Sequence, residues 1–244
     1  WGRRLARELS ASREVVEVDP NLIQDPRVTA NGATFMWRDH QIETTLVGYF
    51  NIINLLMAAE TLNALRFDRT DIARGLRLVK PVRGRMEPIS IARSDVRVLV
   101  DYAHKPDALS EALKAARSIT ARKVWVVFGA GGNRDQRKRS VMGEIAAGLA
   151  DEVVVTSDNP RSEDPLVIAN QIIVGTQRGK ARSQIILDRA DAIHFAIGEA
   201  VAGDLILVAG KGHETYQTIG DEQRPFDDVA VCEQALATRL EGGV

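Results

Sequence analysis

Cysteine is almost missing from this chain: Cys232 stands alone among 244 residues. A lone thiol excludes an intramolecular disulfide and any metal site built from clustered cysteines. It fits a reducing compartment, so a cytoplasmic setting is expected. Cys232 shares helical spacing with Val229, Leu236 and Leu240, which predicts a packed core thiol. An excess of either charge is missing too. Thirty-two basic residues face 33 acidic ones, and the formal net charge of -1 gives no electrostatic case for nucleic acid or an anionic membrane as partner. Any anion site must therefore be local. No apolar run approaches the ~20 residues of a membrane span, and no basic-then-apolar leader opens the chain. The chain begins Trp1-Gly2 without an initiator methionine, so a fragment or processed piece is expected.

What is present reads as soluble and globular, with 45% hydrophobic and 27% charged residues. The length suits one large domain or one domain with part of another, and the second is expected. Residues 1–47 read as strand and loop, with Val15-Val16-Glu17-Val18 as a strand and Pro20, Asp25-Pro26 and Asn31-Gly32 as turns. From Gly48 the pattern turns helical through Phe50, Ile53, Leu56 and Met57, and a short helix is expected over 70–78. Pro81 and Gly84 then interrupt the periodicity. Residues 79–86 are the expected linker and candidate hinge.

Beyond the linker, strands and helices alternate. Strands are expected at 96–100, 124–128, 153–156, 184–187 and 205–209, and amphipathic helices at 106–119, 138–149, 165–178 and 189–200. Alternation with short connections implies right-handed crossovers, hence an α/β, Rossmann-like, mostly parallel sheet with helices on both faces. Four of the apolar runs end in polar or glycine-rich turns. These are Asp101-Tyr102-Ala103-His104, residues 129–135, Ser157-Asp158-Asn159-Pro160-Arg161, and residues 209–214. In an open parallel sheet such ends share one edge, where ligands bind.

Three readings compete for the glycine-rich turn at 129–135: a dinucleotide site, a bare turn, or a turn presenting Arg134 to the shared edge. Arg134 stands where the dinucleotide fingerprint needs its third glycine, which disfavours the first. His213-Glu214 resembles half of a zinc-protease motif, but the second histidine would fall at Gln217, so that reading fails. His40 and His194 have no supporting pattern and read as surface or structural residues. His104 serves either as a turn residue or as a ligand contact. The run 134–139 reads as a solvated loop and helix start. Gly210-Lys211-Gly212 would let a backbone approach a ligand closely, and Glu214 could accept hydrogen bonds from an ammonium group. With Arg134, Asp158 and Arg161 this describes a binder of zwitterions: cations for carboxylates, anions for an amine. Asn51 and Asn54, three apart on one helix face, would either meet an adenine edge or cap and solvate the helix.

These motifs occur in an order that resembles the Mur ligases: Gly48-Tyr49-Phe50-Asn51-Ile52-Ile53-Asn54, Gly84-Arg85-Met86-Glu87, Asp101-Tyr102-Ala103-His104-Lys105-Pro106-Asp107, residues 129–139, Asp158-Asn159-Pro160-Arg161 and residues 210–214. The resemblance runs from about residue 48 onward. It implies that residues 1–81 end a central ATPase domain and that 82–244 form the C-terminal domain that receives an amino acid. Within that family the Asp-Asn-Pro-Arg motif marks meso-2,6-diaminopimelate rather than lysine. The implied diaminopimelate contacts are Arg134, Asp158, Asn159, Pro160, Arg161, Gly210 and Glu214. The implied ATP-facing residues are Asn51, Asn54, Arg85, Asp101 and His104. ATP and Mg2+ are the implied cofactors of the intact enzyme, and UDP-N-acetylmuramoyl-L-alanyl-D-glutamate is its other substrate, joined through an acyl phosphate during peptidoglycan biosynthesis. No Gly-x-x-Gly-Lys-Thr phosphate loop occurs in these residues, and neither a metal ligand nor a certain catalytic residue is assigned. The chain alone is thus expected to bind ATP poorly and not to turn over. The alternatives are a non-catalytic amino-acid-binding module, a related amide ligase such as a folylpolyglutamate synthase or a lysine-adding ligase, and a nicotinamide-binding protein.

Overall fold

A computed structural model describes residues 2–12, 15–89 and 91–242; Trp1 lies outside them. It divides into two compact units, one of Trp1–Val28 with Gly32–Lys80 and another of Thr29–Asn31 with Pro81–Val244.

The first unit contains helix α1 (Gly2–Leu9), a 3-10 turn (Pro20–Leu22), strands β1 (Ile23–Thr29), β2 (Gly32–Trp37) and β3 (His40–Thr44), and helices α2 (Tyr49–Ala64) and α3 (Arg69–Leu78). The strands lie in the order β1-β2-β3, and Pro26, which lacks a donor, sits on the edge strand. Phe35, Trp37 and Ile42 of the sheet pack with Ile52, Leu56 and Ala59 of α2 and Ile72 and Leu76 of α3. Glu60 fastens this core: Trp37 Nε1 donates to its Oε1 at 2.8 Å and Arg38 Nη2 to its Oε2 at 2.9 Å. Two expectations for 1–47 are corrected. Helix α1 opens the chain, and Val15-Val16-Glu17-Val18 stay outside regular structure, with Val18 against the core. A β-branched run becomes a strand only with a partner, and the sheet's pairing is taken up by residues 23–44.

The second unit contains β4 (Glu87–Ile89), β5 (Arg97–Asp101), α4 (Pro106–Ser118), β6 (Val124–Phe128), α5 (Arg137–Leu149), β7 (Glu152–Val155), α6 (Pro165–Thr176) and β8 (Arg182–Ile185). It continues with α7 (Arg189–Glu199), β9 (Leu205–Ala209), β10 (Tyr216–Ile219), β11 (Glu222–Pro225) and α8 (Asp228–Gly242). One six-stranded sheet runs β4-β5-β9-β6-β7-β8, parallel except for β4, and β10-β11 form a separate hairpin. Alternate residues of the buried strands serve opposite faces, so Val98, Val127, Val154 and Ile206 meet Ile193 and Ile197 of α7 and the thiol-bearing Cys232 of α8. Burial pushes the Cys232 thiol well above its ordinary pKa, as befits a packed core residue. Helices α4, α5 and α6 pack side by side, and α7 packs with α8.

The strand expected at 184–187 begins two residues earlier, at Arg182. Its register is set by the ladder to β7, from Glu152↔Arg182 to Val155↔Ile185, and not by the apolar run that follows. Residues 79–86 are not uniformly a linker. Gly84 N donates to Glu87, Arg85 N to Val82 O and Met86 N to Asp101 Oδ2, so residues 84–86 belong to the body of the second unit.

Candidate functional site

Strands β5, β9, β6 and β7 are consecutive neighbours and parallel, so the four turns at their C-terminal ends stand along one edge. The connections of β5, β6 and β7 lead to the α4-α5-α6 layer, whereas the connection of β9 leads to α8. Loops diverging to opposite faces leave a crevice between them.

Two of these turns meet as backbone against backbone. A Cβ at Gly132 would stand 1.9 Å from Pro160 O, and Gly132 N donates to Asn159 O at 2.9 Å. The glycines thus have a packing reason that needs no dinucleotide. Arg161, with φ 52, rests on this seam: its Nη1 donates to Gly132 O at 2.9 Å and lies 3.4 Å from Asn159 O. Among the described residues no carboxylate pairs with Arg161, which is half-buried. Arg134 is exposed beside it, its Cγ 3.7 Å and Arg161 Nη1 2.9 Å from the place a Cβ would take on Gly131.

The anionic half comes from Asp158 and Glu214. Asp158 is buried; its Oδ1 accepts from Asn159 N, and its Oδ2 lies 2.7 Å from the Cβ position of Gly210. Only a glycine, here with φ 120, leaves room for that oxygen. Glu214 Oε2 accepts from Asn159 Nδ2 at 2.9 Å and from Lys211 Nζ at 3.1 Å. Asp158 Oδ2 and Glu214 Oε1 have no donor among the described residues. Asn159 is fully engaged inside the protein, because its Oδ1 also accepts from Lys211 Nζ and Thr218 N. Pro160 is buried and supplies the carbonyl that meets Gly132. Hairpin β10-β11 clasps the whole motif: Gln217 Nε2 donates to Asp158 O, and Arg161 N to Thr218 O.

The structure also places the residues expected to face ATP. Asp101 turns inward, its two oxygens accepting from Met86 N and Ala103 N at 2.8 Å each. Burial raises its pKa, opposed by those two bonds and by Arg85. Arg85 is exposed and lies over the Tyr102 ring, 4.9 Å from its centroid. His104 packs edge-on against Tyr102 and bonds Tyr102 O through Nδ1 at 2.9 Å. In the first unit, Asn51 Nδ2 donates to Val47 O and Asn54 Nδ2 to Asn51 Oδ1. Asn51 thus closes the start of α2, and Asn54 keeps a free carbonyl. Among the described residues no cluster of three or more His, Cys, Asp or Glu could hold a metal ion. Of the remaining histidines, His40 stacks on Trp37 and His194 is half-buried in α7.

Three buried cations were not legible as site residues. The run 134–139 is not simply solvated: Arg139 is fully buried, Nη1 and Nη2 grip both oxygens of Glu163 at 2.8 and 2.9 Å, and Nη2 also reaches Gly131 O. Arg189 is equally buried in a two-bond pair with Asp228, and its Nη2 donates to Ala209 O. Asp228 outweighs desolvation and keeps that guanidinium charged. Lys211 is the third, and its i,i+3 spacing to Glu214 was the one available signal. Lys138 reaches the same edge by donating to His104 O at 2.7 Å; burial lowers its pKa, while Asp158 and Asp135 oppose the shift.

Residues 84–212, more than half of the chain, match the family model described as Mur ligase, glutamate ligase domain. The chain belongs to the Mur ligase family. A UDP-N-acetylmuramoyl-L-alanyl-D-glutamate–2,6-diaminopimelate ligase of Geobacillus thermodenitrificans is 48% identical over 198 residues, which cover 81% of this chain and 40% of that protein. A solved structure of a ligase of that name superposes with TM-score 0.65 at 36% identity, over 89% of this chain and 45% of the other. A UDP-N-acetylmuramate-alanine ligase from Thermotoga maritima shares the fold, with TM-score 0.64 at 16% identity over 91% of this chain and 46% of its own. The chain thus spans less than half the length of these Mur ligases. No helix among the described residues is long and apolar enough to cross a membrane.

Proposed function

We propose that this chain is the C-terminal part of a cytoplasmic, ATP-dependent ligase that adds meso-2,6-diaminopimelate to UDP-N-acetylmuramoyl-L-alanyl-D-glutamate in peptidoglycan biosynthesis. In this reading residues 1–81 end the ATPase domain and 82–244 receive the amino acid. The observation that carries it is the pairing of opposite charges on one sheet edge. Among the described residues Arg161 and Arg134 have no carboxylate partner, and Asp158 Oδ2 and Glu214 Oε1 have no donor. A ligand with a carboxylate at one head and an ammonium group at the other satisfies both halves.

Each residue then has a task in positioning. Arg161, fixed at Nη1 by Gly132 O, offers its remaining N–H groups to the distal carboxylate, and Arg134 adds an exposed cation. Asp158 and Glu214 orient an ammonium group, while Lys211 and Asn159 hold Glu214 in place. ATP supplies the activation of the acceptor carboxylate. Arg85 on Tyr102 fits a polar contact to a nucleotide. Asp101 fits the role of holding Met86, and with it Arg85, in place. Excluding water from the activated acyl group is the expected gain from domain closure about the residues just before 82.

Lysine lacks the distal carboxylate, so it would leave the Arg161 guanidinium without its partner, a mismatch that sites of this kind reject strongly. Calorimetry on the chain should show binding of meso-diaminopimelate and none of L-lysine at equal concentration. Arg161→Ala should weaken diaminopimelate binding by about 100-fold, the scale of losing a charge-assisted pair of bonds, with thermal stability unchanged. Equal binding of both amino acids, or of neither, overturns the reading.

A further inference from the structure

Arg161 is an exception in its own neighbourhood, because a carboxylate lies two residues away and does not pair with it. Glu163 and Arg161 occupy opposite ends of one peptide group. Arg161 Nη1 donates to Gly132 O at 2.9 Å, while Asn133 N donates to Glu163 Oε1 at 2.5 Å. Summing those bonds across the peptide puts the guanidinium nitrogen and the carboxylate oxygen no more than about 8 Å apart. A glutamate side chain has three torsions and could close that gap. It is held back by Arg139, which takes both Glu163 oxygens at 2.8 and 2.9 Å and is itself 0% exposed. Gln171 Oε1, 2.7 Å from Arg139 Nη1, fixes the guanidinium from the α6 side.

We infer that Arg139 is a specificity-determining positioning residue: it sequesters Glu163 and so leaves Arg161 as an uncompensated cation for a ligand carboxylate. This rests on the reading of Arg161 given above. A buried arginine with one carboxylate partner would ordinarily be scaffolding alone, and breaking it would simply destabilise the fold. The geometry adds a second consequence. Without Arg139, Glu163 has a nearer claim on Arg161 than any incoming acid, and the ligand must displace it.

The test uses Arg139→Met, Glu163→Gln and the double variant in the 244-residue chain, with meso-diaminopimelate calorimetry and a crystal structure of each. Glutamine keeps the acceptor for Asn133 N but removes the charge. Arg139→Met should weaken binding about tenfold or more, and adding Glu163→Gln should restore most of it. Its crystal structure should show Glu163 within 4 Å of the Arg161 guanidinium, the salt-bridge range. If Arg139→Met does not fold, Arg139→Lys with and without Glu163→Gln serves the same comparison, with a smaller loss and the same rescue. Equal binding in single and double variants, or a Glu163 that stays on Asn133, overturns the inference. The crystal structures decide it even if the wild-type chain binds no diaminopimelate, an outcome that would sink the functional reading instead.

Discussion

The two ends of the parallel sheet treat their cations differently. At the end where the strands begin, Lys123 and Arg182 both pair with Glu152, Arg117 pairs with Asp151, and Arg122 approaches Asp204. At the end where they finish there are two tiers. Arg139, Arg189 and Lys211 are buried below, each with an acidic partner, while Arg134 and Arg161 stand above with none among the described residues. Apart from Arg97, whose Nη1 donates to Ile119 O, the cations named at the first end meet acids, while Arg134 and Arg161 at the other end do not. The guanidinium groups without an acidic partner are the ones to which the proposed function assigns an outside anion.

The largest effect should come from opening the lower tier. Arg189→Met leaves Asp228 buried and unpaired beneath the turns that begin at Ser157 and Ala209, and should cost about 3–5 kcal/mol. Urea unfolding measures it. Arg189→Met with Asp228→Leu should recover most of the loss, since an apolar replacement removes both charges; a double variant as unstable as the single would show that the pair is not the source.

This tiering explains what the sequence could and could not disclose. The parallel alternation was legible because β5, β6, β7 and β9 are short, largely apolar runs closed by turns, and α6 was marked by Asp164 as cap and Pro165 as first helical residue. The shared edge followed from topology alone. The ion pairs did not, because Arg139 and Glu163, or Arg189 and Asp228, are separated by 24 and 39 positions and meet only through the fold. Nor did β4, which has three residues, or the β10-β11 hairpin, whose residues are mostly exposed. The ATP-facing role of Asp101 is what the family resemblance implies; its bond to Met86 N depends on where residues 84–86 return, which no local pattern discloses. Val15 to Val18 misled for the converse reason, since local propensity is silent about whether a partner strand exists.

A middle-sized effect belongs to the first unit, where the buried carboxylate of Glu60 is closed like those of the lower tier. Burial raises the Glu60 pKa, but the bonds from Arg38 and Trp37 outweigh it and hold the group below its ordinary value. A carboxylate depressed in the folded state contributes stability above its unfolded pKa, and that contribution is lost as pH falls through the folded value. Glu60→Gln should therefore destabilise the chain by about 1–3 kcal/mol near neutral pH and by much less in acid, measured as urea midpoints across the two conditions. A pH-independent loss would assign Glu60 a packing role only.

The smallest effect is expected where the sheet begins. Lys123 is 44% exposed and shares Glu152 with Arg182, so Lys123→Ala removes one of two cations from a solvated cluster. Such pairs contribute about 0–1 kcal/mol and are screened by salt. Glu152 keeps its second partner, so no buried charge is orphaned, in contrast to Asp228 in Arg189→Met. Lys123→Ala should shift the urea midpoint barely at all and leave diaminopimelate binding at the wild-type value. A tenfold loss of binding from this substitution would mean that the two ends of the sheet are coupled, and the contrast between a closed end and an open one would no longer locate the site.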